Sequence, residues 1–144
     1  MDQIKFHTDR LRTSGLRPTK QRLALCKILF ERKETFHFTI EKLQQIAQRG
    51  SKKKISLATL YNTVHAFKKM GYLKEISLKG NKTFFDTNTK NHHHFYDEDS
   101  SQLIDIKNEK FFISNLPSVP NGKKIKDIEI IIRVANNKQK HKNN

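Results

Sequence analysis

His92-His93-His94 is the run in this chain whose residue types and spacing point most directly to site chemistry. In an extended strand successive side chains alternate faces, so His92 and His94 share one face and His93 takes the other. At most two of the three can hold one ligand directly. Neutral imidazole suits Fe, Zn, Mn or haem iron. Asp86 and Asp105 could add hard oxygen ligands if their strands pair, and His37, in Phe36-His37-Phe38-Thr39, could supply a nitrogen from an earlier segment. The candidate metal ligands are therefore His37, Asp86, His92, His93, His94 and Asp105, with His92, His93 and His94 also candidates for haem.

A second stretch, Ser56 to Leu73, is suited to a different ligand. Ser56 can cap a helix through its hydroxyl. Leu60, Val64 and Phe67 recur at four- and three-residue steps and give one apolar stripe that must face a core. Leu57, Ala58, Tyr61, Asn62 and His65 fall on the other face, with no carboxylate among them to repel a phosphate backbone. Gly71 stands where a left-handed residue closes a helix. The arrangement is that of a DNA-recognition helix.

The elements around that helix carry the charge. Arg17, Lys20 and Arg22 crowd the start of a helix that Pro18 opens, where free amides suit a phosphate. That helix runs to about Glu31 with Leu23, Cys26, Leu29 and Phe30 at helical spacing, and Cys26 reads as a small core residue. A weakly patterned helix over 4–14 precedes it, and Thr39 begins another that Gly50 ends. Lys52-Lys53-Lys54 follows. After Gly71 the period becomes strand-like: residues 72–78 and 82–86 flank Lys79-Gly80-Asn81, a turn that suits positive φ. Three helices and a two-stranded ribbon make a winged helix–turn–helix, with Lys79 and Lys82 at the wing tip. Beyond it the chain is β-rich, with strands at 92–96, 102–106 and 123–135, a short helix or packed loop over 110–122, and a tail from Asn136 with too few apolar residues to fold.

Composition agrees with this division. The chain has 144 residues, 29 Lys plus Arg against 14 Asp plus Glu, and a formal net charge of +15. Residues 1–80 hold 18 basic and 6 acidic side chains, while residues 81–144 hold 11 and 8. A basic first half joined to a nearly balanced second half points to a polyanion bound by the first. No apolar run is long enough to span a bilayer, and the basic runs do not follow one amphipathic stripe, so nucleic acid rather than membrane is the expected partner. A hydrophobic content of 35% leaves thin cores and favours association. The single cysteine excludes an intrachain disulfide and a four-cysteine zinc knuckle. The first residues lack the apolar core of a secretory signal, which makes the cytoplasm the expected compartment. No general base stands beside an open metal position, and the 5 glycines form no phosphate-cradling loop, so an enzyme is not expected.

Three segments in order, Leu16-Arg17-Pro18-Thr19-Lys20-Gln21-Arg22, Phe36-His37-Phe38-Thr39-Ile40-Glu41 and Ser56-Leu57-Ala58-Thr59-Leu60-Tyr61-Asn62-Thr63, resemble the ferric uptake regulator (Fur) family. Lys82 to Asn88, His92 to Tyr96, Gln102 to Ile106 and Leu116 to Gly122 are similar to its iron response regulator (Irr) branch. The resemblance covers roughly residues 10–135. It implies an α/β chain with a winged-helix domain over 1–86, a small α/β dimerisation and sensing domain over 87–136, and a disordered basic tail over 137–144. It also implies a cytoplasmic homodimer that binds AT-rich, pseudo-palindromic double-stranded DNA and controls haem synthesis and iron homeostasis. Expected DNA-binding residues are Arg17, Thr19, Arg22, Ser56, Thr59, Tyr61, Asn62, Lys79 and Lys82, with Tyr61 on thymine methyls and Arg17 in the minor groove. The family's hinge metal site maps onto His37, Asp86, the histidine run and Asp105, with Fe²⁺ or Mn²⁺ there, and the Irr branch implies haem at the run. A sensor of another divalent metal or of peroxide, or a general basic nucleic-acid-binding protein, is the alternative. Two departures stand out: the paired-cysteine zinc site is absent, and Asn62 replaces the arginine of most Fur proteins.

Overall fold

The computed structural model describes residues 2–49, 54–107 and 112–137. Gly50, Lys52, Lys53 and the tail from residue 138 lie outside the described residues. The chain divides into two compact units, Met1–Thr89 and Lys90–Asn144.

In the first unit, helix α1 (Gln3–Thr13) starts where the Asp2 carboxylate accepts the Ile4 amide at 3.0 Å. It buries His7 and Leu11. Helix α2 (Lys20–Phe30) begins two residues later than Pro18: Thr19 is its cap, with Oγ1 accepting the Arg22 amide. Pro18 precedes the cap, where its missing N–H has no ladder to break. Strand β1 (His37–Phe38) follows, and helix α3 (Ile40–Arg49) opens with Thr39 Oγ1 accepting the Lys42 amide. Helix α4 (Leu57–Lys69) is capped by Ser56, whose Oγ accepts the Thr59 amide at 3.2 Å. Gly71 then takes φ +80°, a conformation that ends the helix at no steric cost to glycine.

Strands β2 (Lys74–Leu78) and β3 (Lys82–Asp86) form the wing, with Gly80 and Asn81 both at positive φ in its turn. The ribbon has a third strand that periodicity alone does not reveal. β1 pairs with β3, giving the order β1-β3-β2. Two residues are too few to display an alternation, so His37-Phe38 reads as a link until the pairing is seen.

The buried faces of the four helices and this sheet close one core. Leu11, Leu25, Leu29, Phe38, Leu43, Leu60, Val64, Phe67 and Phe85 are all essentially solvent-free within it. Each such side chain contributes roughly 1.5–3 kcal/mol of transfer free energy. Cys26 lies in the same core, and burial raises its thiol to about pKa 12.

Among the described residues the second unit holds a three-stranded sheet. β4 (His93–Asp97) pairs antiparallel with β5 (Gln102–Ile106) and parallel with β6 (Ile131–Val134). β4 starts one residue later than the histidine run, and β6 is far shorter than the alternation over 123–135 suggests. An alternating pattern becomes strand only where a neighbour supplies hydrogen bonds, and the register with β4 begins only at Ile131, opposite His94. Residues 112–122 form no regular element, and their side chains are exposed rather than packed; Phe111 lies outside the described residues. Tyr96 and Leu103 are the buried apolar side chains of this unit among the described residues.

Candidate metal centre and nucleic-acid interface

The β4–β5 register explains the histidine site. His94 and Asp105 are direct partners across the antiparallel pair, which brings their side chains together on one face. His94 Nε2 stands 3.0 Å from Asp105 Oδ1. His92, two residues earlier, faces the same way, and its Nε2 stands 3.5 Å from the same oxygen. The two imidazole rings lie 4.4 Å apart between centroids. One ligand atom from each of His92, His94 and Asp105 falls within 4.8 Å of the others.

His92 is held from outside the cluster. Its Nδ1 lies 2.6 Å from the Lys90 carbonyl, which can only accept, so Nδ1 is the donor there and Nε2 is turned toward Asp105. A carbonyl that fixes the tautomer of a ligating histidine is the usual support of a metal-binding imidazole. Two buried imidazoles and a carboxylate make an N, N, O donor set, which suits Fe²⁺, Mn²⁺ or Zn²⁺. The residues fit a divalent metal.

His93 does not join them. It pairs with Ile106 in register and points to the opposite face, where its Nδ1 accepts the Ile130 amide at 3.0 Å. Haem fits poorly here. His92 and His94 are 5% and 0% exposed, which leaves no approach for a porphyrin, and the Nδ1 of His93 is occupied. His37 and Asp86 belong to the first unit, where they are direct partners across β1 and β3. Asp86 is buried and its Oδ1 accepts the Asn88 amide at 2.8 Å. The His37 ring meets Phe84 edge-on at 6.4 Å.

The candidate nucleic-acid face is built on α4. Leu60, Thr63, Val64 and Phe67 anchor one side in the core, which turns Leu57, Tyr61, Asn62 and His65 to solvent. Leu57 and Tyr61 are both large apolar surfaces left exposed one turn apart, as contact with thymine methyls would require. Arg17, Lys79 and Lys82 are exposed as well. Other candidates have structural duties. Ser56 caps α4 and its hydroxyl lies 3.0 Å from that of Thr59, Thr19 caps α2, and Arg22 Nη1 donates to the Arg17 carbonyl at 3.1 Å. Arg22 thus fixes the segment that presents Arg17. His65 was not evident as a functional residue from sequence, although its spacing of four from Tyr61 places the two rings together.

The ferric uptake regulator family model matches residues 13–133 of the chain. The peroxide-responsive repressor PerR of Staphylococcus aureus (strain Mu50 / ATCC 700699) is 34% identical over 97 residues, which cover 67% of this chain and 64% of that protein. The chain thus spans a little less than two thirds of the length of the curated relatives it matches. Two solved structures share the fold. The ferric uptake regulator of Pseudomonas aeruginosa, determined with manganese, superposes with a TM-score of 0.64 at 18% identity, covering 92% of this chain and 98% of that one. The Vibrio cholerae ferric uptake regulator gives 0.66 at 20%, covering 89% and 98%.

Proposed function

The chain belongs to the ferric uptake regulator family, and on that premise we propose that it is a metal-responsive transcriptional regulator rather than an enzyme. It binds double-stranded DNA as a homodimer in the cytoplasm, with α4 in the major groove and the wing on the phosphate backbone. The observation that carries this is the cluster of His92, His94 and Asp105 in a chain whose α4 leaves an uncharged, carboxylate-free face to solvent.

The residues of the β4–β5 pair hold the metal, with Nε2 of both histidines and Oδ1 of Asp105 as donors. Asp86 and His37 are the proposed ligands from the first unit, an assignment supported by their pairing across β1 and β3. A bound divalent ion supplies a fixed positive charge that several neutral or anionic donors can share. Donors drawn from both units would make the spacing of two recognition helices depend on metal, and DNA affinity with it.

Iron is the proposed effector, with control of haem synthesis and iron homeostasis as the output; manganese or zinc sensing is one alternative, and peroxide sensing is the one that the peroxide-responsive PerR relative supports. A haem response at His92 or His94 would require the imidazole to leave Asp105. The test is operator binding by the purified chain with no metal, Fe²⁺, Mn²⁺, Zn²⁺ or haem, against specific and random AT-rich duplexes across a salt series. A regulator shows metal-dependent preference for the specific duplex. Equal affinity for both, with or without metal, would leave only a general nucleic-acid binder.

A further inference from the structure

A cleft of about 290 Å³ opens in the first unit. Its walls come from α1, the end of α2 and the segment after it, the turn after α4 and the residues following β3. The volume is at the lower edge of small-molecule sites, roughly 300–1,000 Å³. The lining carries Arg10, Arg32 and Lys33 against the single carboxylate of Glu34.

Arg10 is the unusual member. Its guanidinium carbon lies 4.6 Å from the Phe6 ring centroid, 4.4 Å from that of Phe30 and 4.6 Å from that of Tyr72. Three rings packed around the guanidinium carbon narrow the directions open to its N–H donors. No carboxylate or carbonyl among the described residues takes those donors. Burial among the rings also lowers the Arg10 pKa, the direction expected of a cation lacking a counterion. Arg32 is held over the Phe36 ring at 3.9 Å, and neither it nor Lys33 has an acidic partner among the described residues. Glu34 lines the cleft but forms no ion pair with any of the three cations, and it is exposed.

A guanidinium flanked by aromatic rings, with its N–H donors meeting no acceptor among the described residues, is suited to take a carboxylate or phosphate by two parallel hydrogen bonds. We propose that this cleft binds a small carboxylate or phosphate anion, gripped edge-on by Arg10 with Arg32 and Lys33 supplying the remaining charge. The DNA backbone is a poor source for that anion. The cleft borders Gly71 and Tyr72, beyond the C-terminal end of α4, whereas Ser56 and Leu57 lie at its start. Thirteen helical residues separate the ends by about 20 Å. The ligand is therefore a freely diffusing small molecule.

The test is calorimetric titration of the full chain with inorganic phosphate in one arm and succinate in the other, at fixed ionic strength balanced by chloride. Saturable binding of at least one, with a Kd below about 1 mM, is the expected result. Binding of phosphate alone or of succinate alone identifies which class the site takes. Arg10→Lys keeps the charge but loses the planar fork, and should weaken binding at least tenfold. Arg32→Gln and Lys33→Gln alter exposed side chains and should each weaken it several-fold with unchanged melting temperature; they decide the matter if Arg10 variants fail to fold. The proposal is overturned if neither anion saturates, or if Arg32→Gln and Lys33→Gln bind as the wild type does.

Discussion

Tyr61 and His65 stack face to face on α4, their ring planes 14° apart and their centroids 5.9 Å apart. His65 in turn meets Phe85 of β3 edge-on at 5.8 Å. Phe85 is itself buried against Phe38, 6.0 Å away. The exposed tyrosine is therefore the end of an aromatic series that begins in the core, and its ring direction is fixed before any duplex arrives. Pre-organising a base-reading side chain lowers the entropy lost on binding.

Removing the ring proposed to read a base and removing its support should then differ in size. Tyr61→Ala is expected to lose about 1–3 kcal/mol of discrimination at one base step. His65→Ala should lose about 0.5–1.5 kcal/mol, the worth of an aromatic pair, while leaving affinity for random duplex unchanged. Competition between matched and singly altered operators measures both. A His65→Ala protein with wild-type discrimination would show that the stack is incidental.

The metal cluster predicts a linked loss of affinity and stability. His94→Ala or Asp105→Ala should weaken Mn²⁺ and Fe²⁺ binding by tenfold or more, read by calorimetry. Metal at one hundred times Kd should stabilise the wild type by about 2.7 kcal/mol, and a chelator should remove that increment. His93→Ala, whose ring faces the other way, should retain most of the metal affinity. Equal losses from His93→Ala and His94→Ala would argue against the assignment by strand face.

Cys26 gives the clearest pH dependence. Its thiol is raised from 9.0 to about 12, first because burial opposes the thiolate, with Arg10 nearby pulling weakly the other way. The folded pKa lies above the unfolded one, so the stabilising contribution is complete below about pH 9 and is lost as pH rises toward 12. Thermal melts should therefore fall over that window, and Cys26→Ala should flatten the decline. At pH 7.5 iodoacetamide should leave the folded chain unmodified and alkylate it once it is denatured; rapid labelling of the native protein would contradict the burial.

What could be read from the sequence followed from period and charge. The α4 stripe of Leu60, Val64 and Phe67 fixes which face meets the core and hence that Tyr61 and Asn62 are presented outward. The odd–even rule alone separates His93 from His92 and His94. Pairings were not legible. That β1 exists, that Asp105 lies opposite His94 and that Arg10 sits among three rings depend on residues far apart in the chain. The third strand segment failed for the opposite reason: Ile128, Ile130, Ile132 and Val134 alternate clearly, but β4 offers partners only to residues 131–134.

That same register leads to a prediction about association. Phe95 of β4 stands opposite Ile104 of β5 and Ile132 of β6, so the three form one row across the sheet. Ile104 and Ile132 are 46% and 37% exposed, and Phe95 is only half-buried. The opposite face holds His94, Tyr96 and Leu103, all buried. A sheet with both faces apolar and so few buried side chains is incomplete as a single copy. Covering the outer row with a second chain would return roughly 1.5–3 kcal/mol for each side chain fully buried. Ile132→Asp should therefore shift the chain from dimer to monomer in sedimentation at micromolar concentration. It should weaken operator binding far more than binding to a single half-site, because two recognition helices must be held together to read successive grooves. Lys107→Gln, an exposed change just beyond β5, is the control and should alter neither. An Ile132→Asp protein that sediments as the wild type does would place the association surface elsewhere than this row.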